Sequence, residues 1–145
     1  MKVELDHIGI AIENIDEALA FYRDALGLDI EVTEEVIAQG VRAHFMAAGE
    51  SAIELLEPTS SDSPVGRFLK RRGPGLHHLT LRVDDLNAVL TRLKERGIRL
   101  IDEKPREGAE GTLVAFIHPS SSHGVLVELK EKRVVRERQE GKRFE

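Results

Sequence analysis

The sequence predicts an α+β fold of two tandem βαβββ modules, whose eight strands form one cup with the helices on its outside. Residues 75–86 resemble residues 5–15, and a shift of 71 positions sets His78 on His7. Further along, residues 127–129 repeat residues 53–55. Each copy has the pattern of a strand, a helix and three strands. Because a long internal repeat dictates architecture, the two copies are expected to be two similar halves of one sheet.

The length of 145 residues suits one domain. We expect this domain to span residues 1–130, with modules at about 3–57 and 75–130 joined by a connector at 58–74. A charged tail at 131–145 follows. Hydrophobic residues make up 41% and charged residues 32% of the chain, without a long apolar run. The composition therefore predicts no membrane segment and no signal peptide, and a cytoplasmic location.

The chain contains no cysteine, which excludes disulfides, thiolate metal ligands and thiol catalysis. Histidines and carboxylates are left as the available metal ligands. The net charge is −5, although residues 130–145 hold seven basic and four acidic residues. The body of the chain is therefore more acidic than the total indicates, which argues against nucleic-acid binding.

The first module begins with apolar alternation over residues 3–12, with a shift near Asp6-His7, and this is the period of a half-buried strand. The alternation places His7, Gly9 and Ala11 on one face. Asn14, with Glu17 three residues later, resembles a capping box that starts a helix, and Gly27 ends it. Three more strands are predicted, at residues 28–37, 40–47 and 51–57.

The connector contains Ser63-Pro64, an N-cap followed by proline at the first helical position, which predicts a short helix. The second module then repeats the order of the first. Its predicted elements are a strand at 77–83, a helix at 85–96 and strands at 98–103, 112–118 and 124–130.

Strand alternation places one histidine and one glutamate of each module on the face away from the helices: His7, Glu54, His78 and Glu128. Such an N₂O₂ set suits a borderline divalent ion such as cobalt, nickel, zinc or manganese better than magnesium. A lone histidine is more often structural, and a lone glutamate is usually exposed. The recurrence at matched places favours a shared metal site.

The other four histidines are interpreted as bystanders of this site. His77 is adjacent to His78 in the same predicted strand, so alternation places it on the opposite face. His44 is likewise expected to turn away from Ala43. His118 and His123 lie near the last predicted strand.

Over residues 3–130 the chain resembles the vicinal oxygen chelate superfamily of paired βαβββ modules, and within it the methylmalonyl-CoA epimerases. The motifs that carry this resemblance are Asp6-His7-Ile8-Gly9-Ile10-Ala11, Gln39-Gly40-Val41, Asp62-Ser63-Pro64, His77-His78, and His118-Pro119 with Gly124-Val125-Leu126-Val127-Glu128-Leu129. A glyoxalase typically has Asp-Pro-Asp-Gly in place of the last motif.

The resemblance implies that His7, Glu54, His78 and Glu128 hold a divalent ion, with Co²⁺ preferred, and that a homodimer acts on methylmalonyl-CoA. Epimerisation requires proton transfer on both faces of the α-carbon. Ala43 occupies a position where some family members have a glutamate proposed as one base. We therefore expect Glu54 and Glu128 to be the two bases.

Substrate contacts are expected at Gln39, Ser121 and Ser122 from the resemblance and their loop positions, and at Arg67 and Arg71 for the phosphates of coenzyme A. A charged helix face is, however, more often only solvated.

Three alternatives use the same fold. A glyoxalase I-like lactoylglutathione lyase could use the same four ligands, although the ending of the second module disfavours it. An extradiol dioxygenase usually binds iron through two histidines and one carboxylate, so a second glutamate disfavours that activity. A non-catalytic protein that only binds a small molecule would often have lost one of the four metal ligands, whereas this sequence has all four.

Overall fold

The computed structural model describes residues 2–132 and contains two successive βαβββ units, as predicted. In the first unit a π-helical segment, Ala20–Ala25, extends the helix, and the elements are β1 (Val3–Ala11), α1 (Ile15–Leu19), β2 (Ile30–Val36), β3 (Val41–Ala48) and β4 (Ser51–Pro58). The connector and second unit contain α2 (Pro64–Arg72), β5 (Gly75–Val83), α3 (Leu86–Glu95), β6 (Arg106–Glu107), β7 (Leu113–Ile117) and β8 (Val127–Glu131).

The eight strands form one sheet in the order β2-β3-β4-β1-β5-β8-β7-β6. β1 and β5 pair antiparallel at its centre, and each pairs in parallel with the last strand of its own module. The order is therefore the same when read outward from the centre in either direction, as expected for a duplicated unit. The sheet curls into a half-barrel, in agreement with the predicted cup.

The repeat extends to the hydrogen bonds that start each helix. The Asn14 side chain accepts from the Glu17 backbone N–H, and the Asp85 side chain accepts from Ala88 in the same way. In each module a glutamate of the last strand accepts the backbone N–H of the first helical residue. The distances are 3.0 Å from Ile15 N to Glu57 and 3.1 Å from Leu86 N to Glu131. Both helices are thus fixed to the sheet at equivalent points, which supplies partners for N–H groups that lack them within a helix.

Two apolar layers hold α1 and α3 against the outer face of the sheet. In the second module Leu86 and Leu90 of α3 pack on Ala115 and Leu129. The first module has a corresponding cluster centred on Leu19, Met46 and Leu55. The helix α2 instead packs on the inner face, where Val65 and Phe68 contact Ala11, Val41 and Leu56. This connector helix therefore closes part of the cup, whereas the other two lie outside as predicted.

The predicted strand at 98–103 is wrong. Leu100 forms a single bridge to Ile117, and β6 is two residues long. The Asp102 carboxylate accepts the Phe116 backbone N–H at 2.8 Å, and the N–H groups of residues 101 and 102 both donate to the Phe116 carbonyl. A side chain thus replaces the strand ladder at this point. Pro105, which has no N–H, follows directly before β6.

Within residues 2–132 no helix has both the length and the apolar character needed to cross a membrane. The predicted charged tail lies outside the described residues from residue 133 onward.

The Glu57 carboxylate offers a test of how the helix caps contribute to stability. Burial raises its pKa, but hydrogen bonds from the Ile15 N–H, Arg42 and His44 outweigh that effect and lower it. A lowered pKa in the folded state stabilises the fold above the ordinary carboxyl pKa, and this stabilisation is lost as the pH falls. Glu57→Gln should therefore reduce the unfolding free energy by about 1–2 kcal/mol at pH 7 and by much less in acid.

Urea denaturation at pH 7 and at pH 3.5 measures this difference, where the two pH values are about three units above and one unit below an ordinary glutamate pKa. The exposed Glu13→Gln is the matched control. An equal loss at both pH values would contradict the assignment of the effect to the ionised carboxylate.

Candidate metal centre

Four polar side chains from the two central strands and their parallel neighbours converge inside the cup. Glu54 Oε1 lies 3.2 Å from His7 Nε2 and 3.5 Å from His78 Nε2. Glu128 Oε1 lies 3.6 Å from His78 Nε2 and 3.9 Å from His7 Nε2. His7, Glu54 and His78 are buried. The two modules thus bring one imidazole and one carboxylate each to a common point.

The compact group of candidate metal ligands comprises His7, Glu54 and His78, whose ligand atoms lie within 4.8 Å of one another. Glu128 approaches both imidazoles but lies outside this compact group. The Thr80 hydroxyl donates to Glu128 Oε1 at 2.6 Å and lies 3.0 Å from His7 Nε2. Thr80 is fully buried, so it fixes the carboxylate from inside the sheet.

The chemistry of these groups fits a divalent cation. Among the described residues, His78 Nε2 is a buried nitrogen without a hydrogen-bond partner, and both carboxylates lie within 3.6 Å of it. Buried polar atoms are nearly always paired, so an unpaired nitrogen facing two carboxylates is the arrangement expected of a metal ligand. Two carboxylates also balance a double positive charge, and imidazole with carboxylate favours a borderline ion.

Two β-bulges explain how these histidines are held. Leu5 and His7 pair with consecutive residues of β5, so Asp6 is an extra residue in β1. Ile10 and Gly9 pair with Leu76 and His78, so His77 is an extra residue in β5. A bulge interrupts strand alternation and redirects the side chains on either side of it. The two bulges are separated by the same 71 positions as the two histidines.

The bulge makes the prediction for His77 wrong. Instead of lying on the opposite face, His77 lines the cup, and its Nδ1 lies 2.9 Å from His78 Nδ1. Burial lowers the pKa of His77 to about 4. The His77 ring is therefore neutral at pH 7.

In the first module, the Asp6 carboxylate contacts Nδ1 of His7, the atom equivalent to Nδ1 of His78. Its Oδ2 lies 2.7 Å from His7 Nδ1, while Arg82 donates to Oδ1 at 2.6 Å and Lys130 donates to Oδ2 at 3.3 Å. Burial raises the pKa of Asp6, but the hydrogen bond with His7 and the charge of Lys130 outweigh it and keep this pKa well below its usual range. An ionised carboxylate behind a metal-binding imidazole fixes the ring and increases its basicity.

The carboxylates of the site also act on His7. Burial alone lowers its pKa, but the hydrogen bonds to Asp6 and Glu54 and the charges of Glu54 and Glu128 raise it to about 9. Burial raises the pKa of Glu54, but the adjacent His7 and His78 rings outweigh that effect and lower it to about 2. The carboxylates thus create a strongly negative electrostatic potential at the site. A cation, either a proton or a metal ion, neutralises this potential.

These groups open into a cavity of about 300 Å³. Most of its wall is apolar, with Val41, Ala43, Phe45, Leu56, Val65, Val114, Phe116 and Leu126. Arg106 and Lys130 are its cations, and the Arg106 guanidinium lies 5.3 Å above the Phe116 ring. An apolar cavity with convergent polar groups at one end is the usual form of a small-molecule site.

The predicted substrate contacts divide into three groups. Gln39 lines the cavity. Ser121 and Ser122 are absent from the described lining, and their hydroxyls bond to the Arg99 N–H and the Val125 carbonyl. Arg67 and Arg71 are exposed on α2, whose first residues, Pro64 and Val65, do line the cavity.

Sequence reasoning missed Asp6, Thr80, Lys130 and Arg106. Asp6 and His77 occupy the same position in the two modules, so the repeat contained a signal for both. Thr80 is the counterpart of Gly9 in the repeat. Because the two residues are chemically unlike, the repeat did not indicate a role for Thr80. Lys130 and Arg106 lie on the second module without a basic counterpart that the repeat would reveal.

Gly9 is required by the close approach of His78. A Cβ built on Gly9 would lie 2.3 Å from His78 Cε1 and 2.5 Å from Nδ1. Because the ring is buried, Gly9→Ala should displace it and reduce Co²⁺ affinity by about 10- to 100-fold, as measured by isothermal titration calorimetry.

The control is Gly49→Ala, which has open space but a φ of +71°. It should lower stability by about 1 kcal/mol without changing metal affinity. Unchanged Co²⁺ affinity in Gly9→Ala would contradict the role given to His78.

Comparison with known proteins agrees with this geometry. The model of the Glyoxalase/Bleomycin resistance protein/Dioxygenase superfamily matches residues 6–116. The uncharacterized protein YqjC of Bacillus subtilis is 46% identical over 127 residues, covering 88% of this chain and 91% of that protein. The mitochondrial methylmalonyl-CoA epimerase of Bos taurus is 39% identical over 128 residues, covering 88% of this chain and 73% of the relative.

A solved structure of methylmalonyl-CoA epimerase in complex with methylmalonyl-CoA and NH₄⁺ has a TM-score of 0.86 and 36% identity, covering 93% of this chain and 98% of the other. These likenesses extend over both modules and confirm the resemblance seen in the sequence. The chain belongs to the glyoxalase/bleomycin resistance protein/dioxygenase superfamily and, within it, to the family of the methylmalonyl-CoA epimerases.

Proposed function

We propose that this protein is a metal-dependent epimerase that interconverts (R)- and (S)-methylmalonyl-CoA. The observation that carries the proposal is the pair of carboxylates, Glu54 and Glu128, delivered by symmetry-related strands to one cavity beside two imidazoles. An inversion needs a proton acceptor on one face of a carbon and a proton donor on the other. The methylmalonyl-CoA epimerase of Bos taurus matches 88% of this chain, which supports the choice of substrate.

The reaction is difficult because the α-proton between a thioester and a carboxylate is far less acidic than a carboxylic acid. A gap of about fifteen pKa units would cost about 20 kcal/mol. A divalent cation held by His7, Glu54, His78 and Glu128 would supply Lewis-acid stabilisation of the negative charge that develops on the substrate. The rest of the task, which is to position the substrate and move the proton, falls to the residues of the cavity.

Glu54 and Glu128 are proposed as the two bases. Each lies on the parallel neighbour of a central strand, so the two approach the imidazoles from opposite sides of the pseudo-symmetry axis. The low pKa of Glu54 keeps this carboxylate ionised, as a proton acceptor must be. Among the described lining residues of the cavity, Glu54 and Glu128 are the carboxylates, so proton transfer is assigned to these two groups.

The remaining contacts follow from charge. Lys130 and Arg106 are proposed to bind the substrate carboxylate, because they are the cations among the described cavity residues. Gln39 is proposed as a hydrogen-bond donor at the same cavity. Arg67 and Arg71 extend from the helix that begins at the cavity and are proposed to meet the phosphates of coenzyme A. Ser121 and Ser122 stay predicted contacts from their loop position.

We propose Co²⁺ as the preferred ion, with Ni²⁺, Mn²⁺ and Zn²⁺ as alternatives, because two imidazoles and two carboxylates suit this group of metals. A cytoplasmic homodimer composed of single-domain chains is proposed on the resemblance that the sequence carries.

The decisive experiment follows deuterium loss from [2-²H]methylmalonyl-CoA in H₂O together with the optical inversion of the thioester. The purified protein should catalyse both, lose both after removal of metal by a chelator, and regain both on addition of Co²⁺. Turnover of the hemithioacetal of methylglyoxal and glutathione, with no inversion of methylmalonyl-CoA, would instead support the glyoxalase alternative. Ligand binding without either reaction would support the non-catalytic alternative.

The two-base assignment gives a stereochemical prediction. Glu54→Gln should keep the metal and slow inversion by about 10²- to 10⁴-fold, while exchange of the α-proton with solvent continues for the one epimer that Glu128 serves. Glu128→Gln should show the reverse preference. Metal content is measured by atomic emission and exchange by NMR on each epimer separately, with the exposed Glu107→Gln as control. Normal inversion by either variant would overturn the assignment.

A further inference from the structure

The bulge residue of each module contacts the Nδ1 atom of the histidine that follows it. In the first module this residue is Asp6, a carboxylate 2.7 Å from His7 Nδ1. In the second it is His77, whose Nδ1 lies 2.9 Å from His78 Nδ1. The two contacts are equivalent in position but differ in chemistry, because only the first partner carries a negative charge.

Two ring nitrogens at this distance share one proton, so one is the donor and the other the acceptor. A neutral imidazole has a single N–H and a single lone pair on its two nitrogens. If His78 presents its lone pair at Nε2, where both carboxylates converge, its proton must be on Nδ1. His77 Nδ1 is then the acceptor, and His77 carries its own proton on Nε2.

Packing holds the acceptor ring in place. His77 makes an edge-to-face contact with Phe68 of α2, with ring centroids 5.0 Å apart, and a second with His78 at 5.2 Å. His78 itself lies between His7 and Phe116, at centroid distances of 5.5 and 6.2 Å. A ring confined by packing on one side keeps its nitrogen directed at His78, so the hydrogen bond does not depend on an exposed, mobile side chain.

We propose that His77 is a positioning residue: its Nδ1 accepts the Nδ1–H of His78 and thereby holds His78 in the tautomer whose Nε2 can bind a cation. The second module uses a neutral acceptor where the first uses an anion. The negative charge at the ion is thus left to Glu54 and Glu128, since Asp6 is already paired with Arg82 and Lys130. The inference rests on the metal-binding role of His78 and not on the identity of the substrate.

The test compares two substitutions at one position. His77→Phe keeps the aromatic packing on Phe68 but removes the acceptor. His77→Asn provides an acceptor of the length of Asp6, which reaches the equivalent nitrogen in the first module. The exposed Leu76→Phe is the control for adding an aromatic ring beside this site.

Co²⁺ affinity, measured by calorimetry, should fall by about 10- to 100-fold in His77→Phe, recover largely in His77→Asn and stay unchanged in Leu76→Phe. The ¹⁵N–¹H correlation spectrum of the metal-free protein at pH 8 gives an independent reading. His78 should be the Nδ1–H tautomer in the native protein and in His77→Asn, and should gain the Nε2–H tautomer in His77→Phe.

Native Co²⁺ affinity with an unchanged His78 tautomer in His77→Phe would overturn the proposal. So would equal losses of affinity in the Phe and Asn variants, because such losses would point to packing and not to the hydrogen bond. Neither measurement involves turnover, so an inactive protein with the expected affinities would refute the proposed function and leave this inference intact.

Discussion

The antiparallel pairing of β1 with β5 is the interaction on which the rest of the structure depends. It joins the modules, forms the centre of the sheet and places His7 and His78 on neighbouring strands. Because the pairing follows the symmetry of the repeat, Gly9 lies opposite His78 just as Thr80 lies opposite His7. The parallel neighbours then add Glu54 beside Gly9 and Glu128 beside Thr80. The site is therefore a consequence of strand register, and a slip of one residue would direct every ligand away from the cup.

Much of this arrangement could be predicted because the sequence contains it twice. Period-two alternation gives the face of each strand, and the repeat indicates which faces meet, so the convergence of two histidines and two glutamates could be predicted from the sequence. Helix starts were equally accessible, since Asn14 and Ser63 are N-cap residues whose side chains accept the expected backbone N–H groups. The failures occurred where a side chain replaces a ladder hydrogen bond, as Asp102 does, or where a bulge adds a residue, as at His77. Alternation assumes an uninterrupted ladder, and a bulge shows in it only as a change of parity, as between Leu76 and Leu79.

Both bulges perform the same physical task. In a regular strand, neighbours point to opposite faces, so a metal-binding histidine could not receive support from the residue before it. The extra residue removes this restriction and lets Asp6 and His77 contact the outer nitrogen of the next ring. Outer partners of this kind fix ring orientation and tautomer. Two irregularities in the sheet thus supply what a pair of regular strands could not, and their retention in both modules is explained by the site they support.

The modules nevertheless differ in the residues that surround the candidate metal ligands. Thr80 donates a hydrogen bond to Glu128, whereas Gly9, its counterpart, has no side chain to offer Glu54. Lys130 and Arg106 come from the second module alone. A substrate such as an acyl-CoA has a long, charged handle at one end and so binds in a single orientation, which a symmetric cavity could not enforce. In the proposed reaction, the duplicated sheet would provide opposed carboxylates for proton transfer on either face. The unequal hydrogen bonds and cations around them would then determine the direction in which the substrate lies.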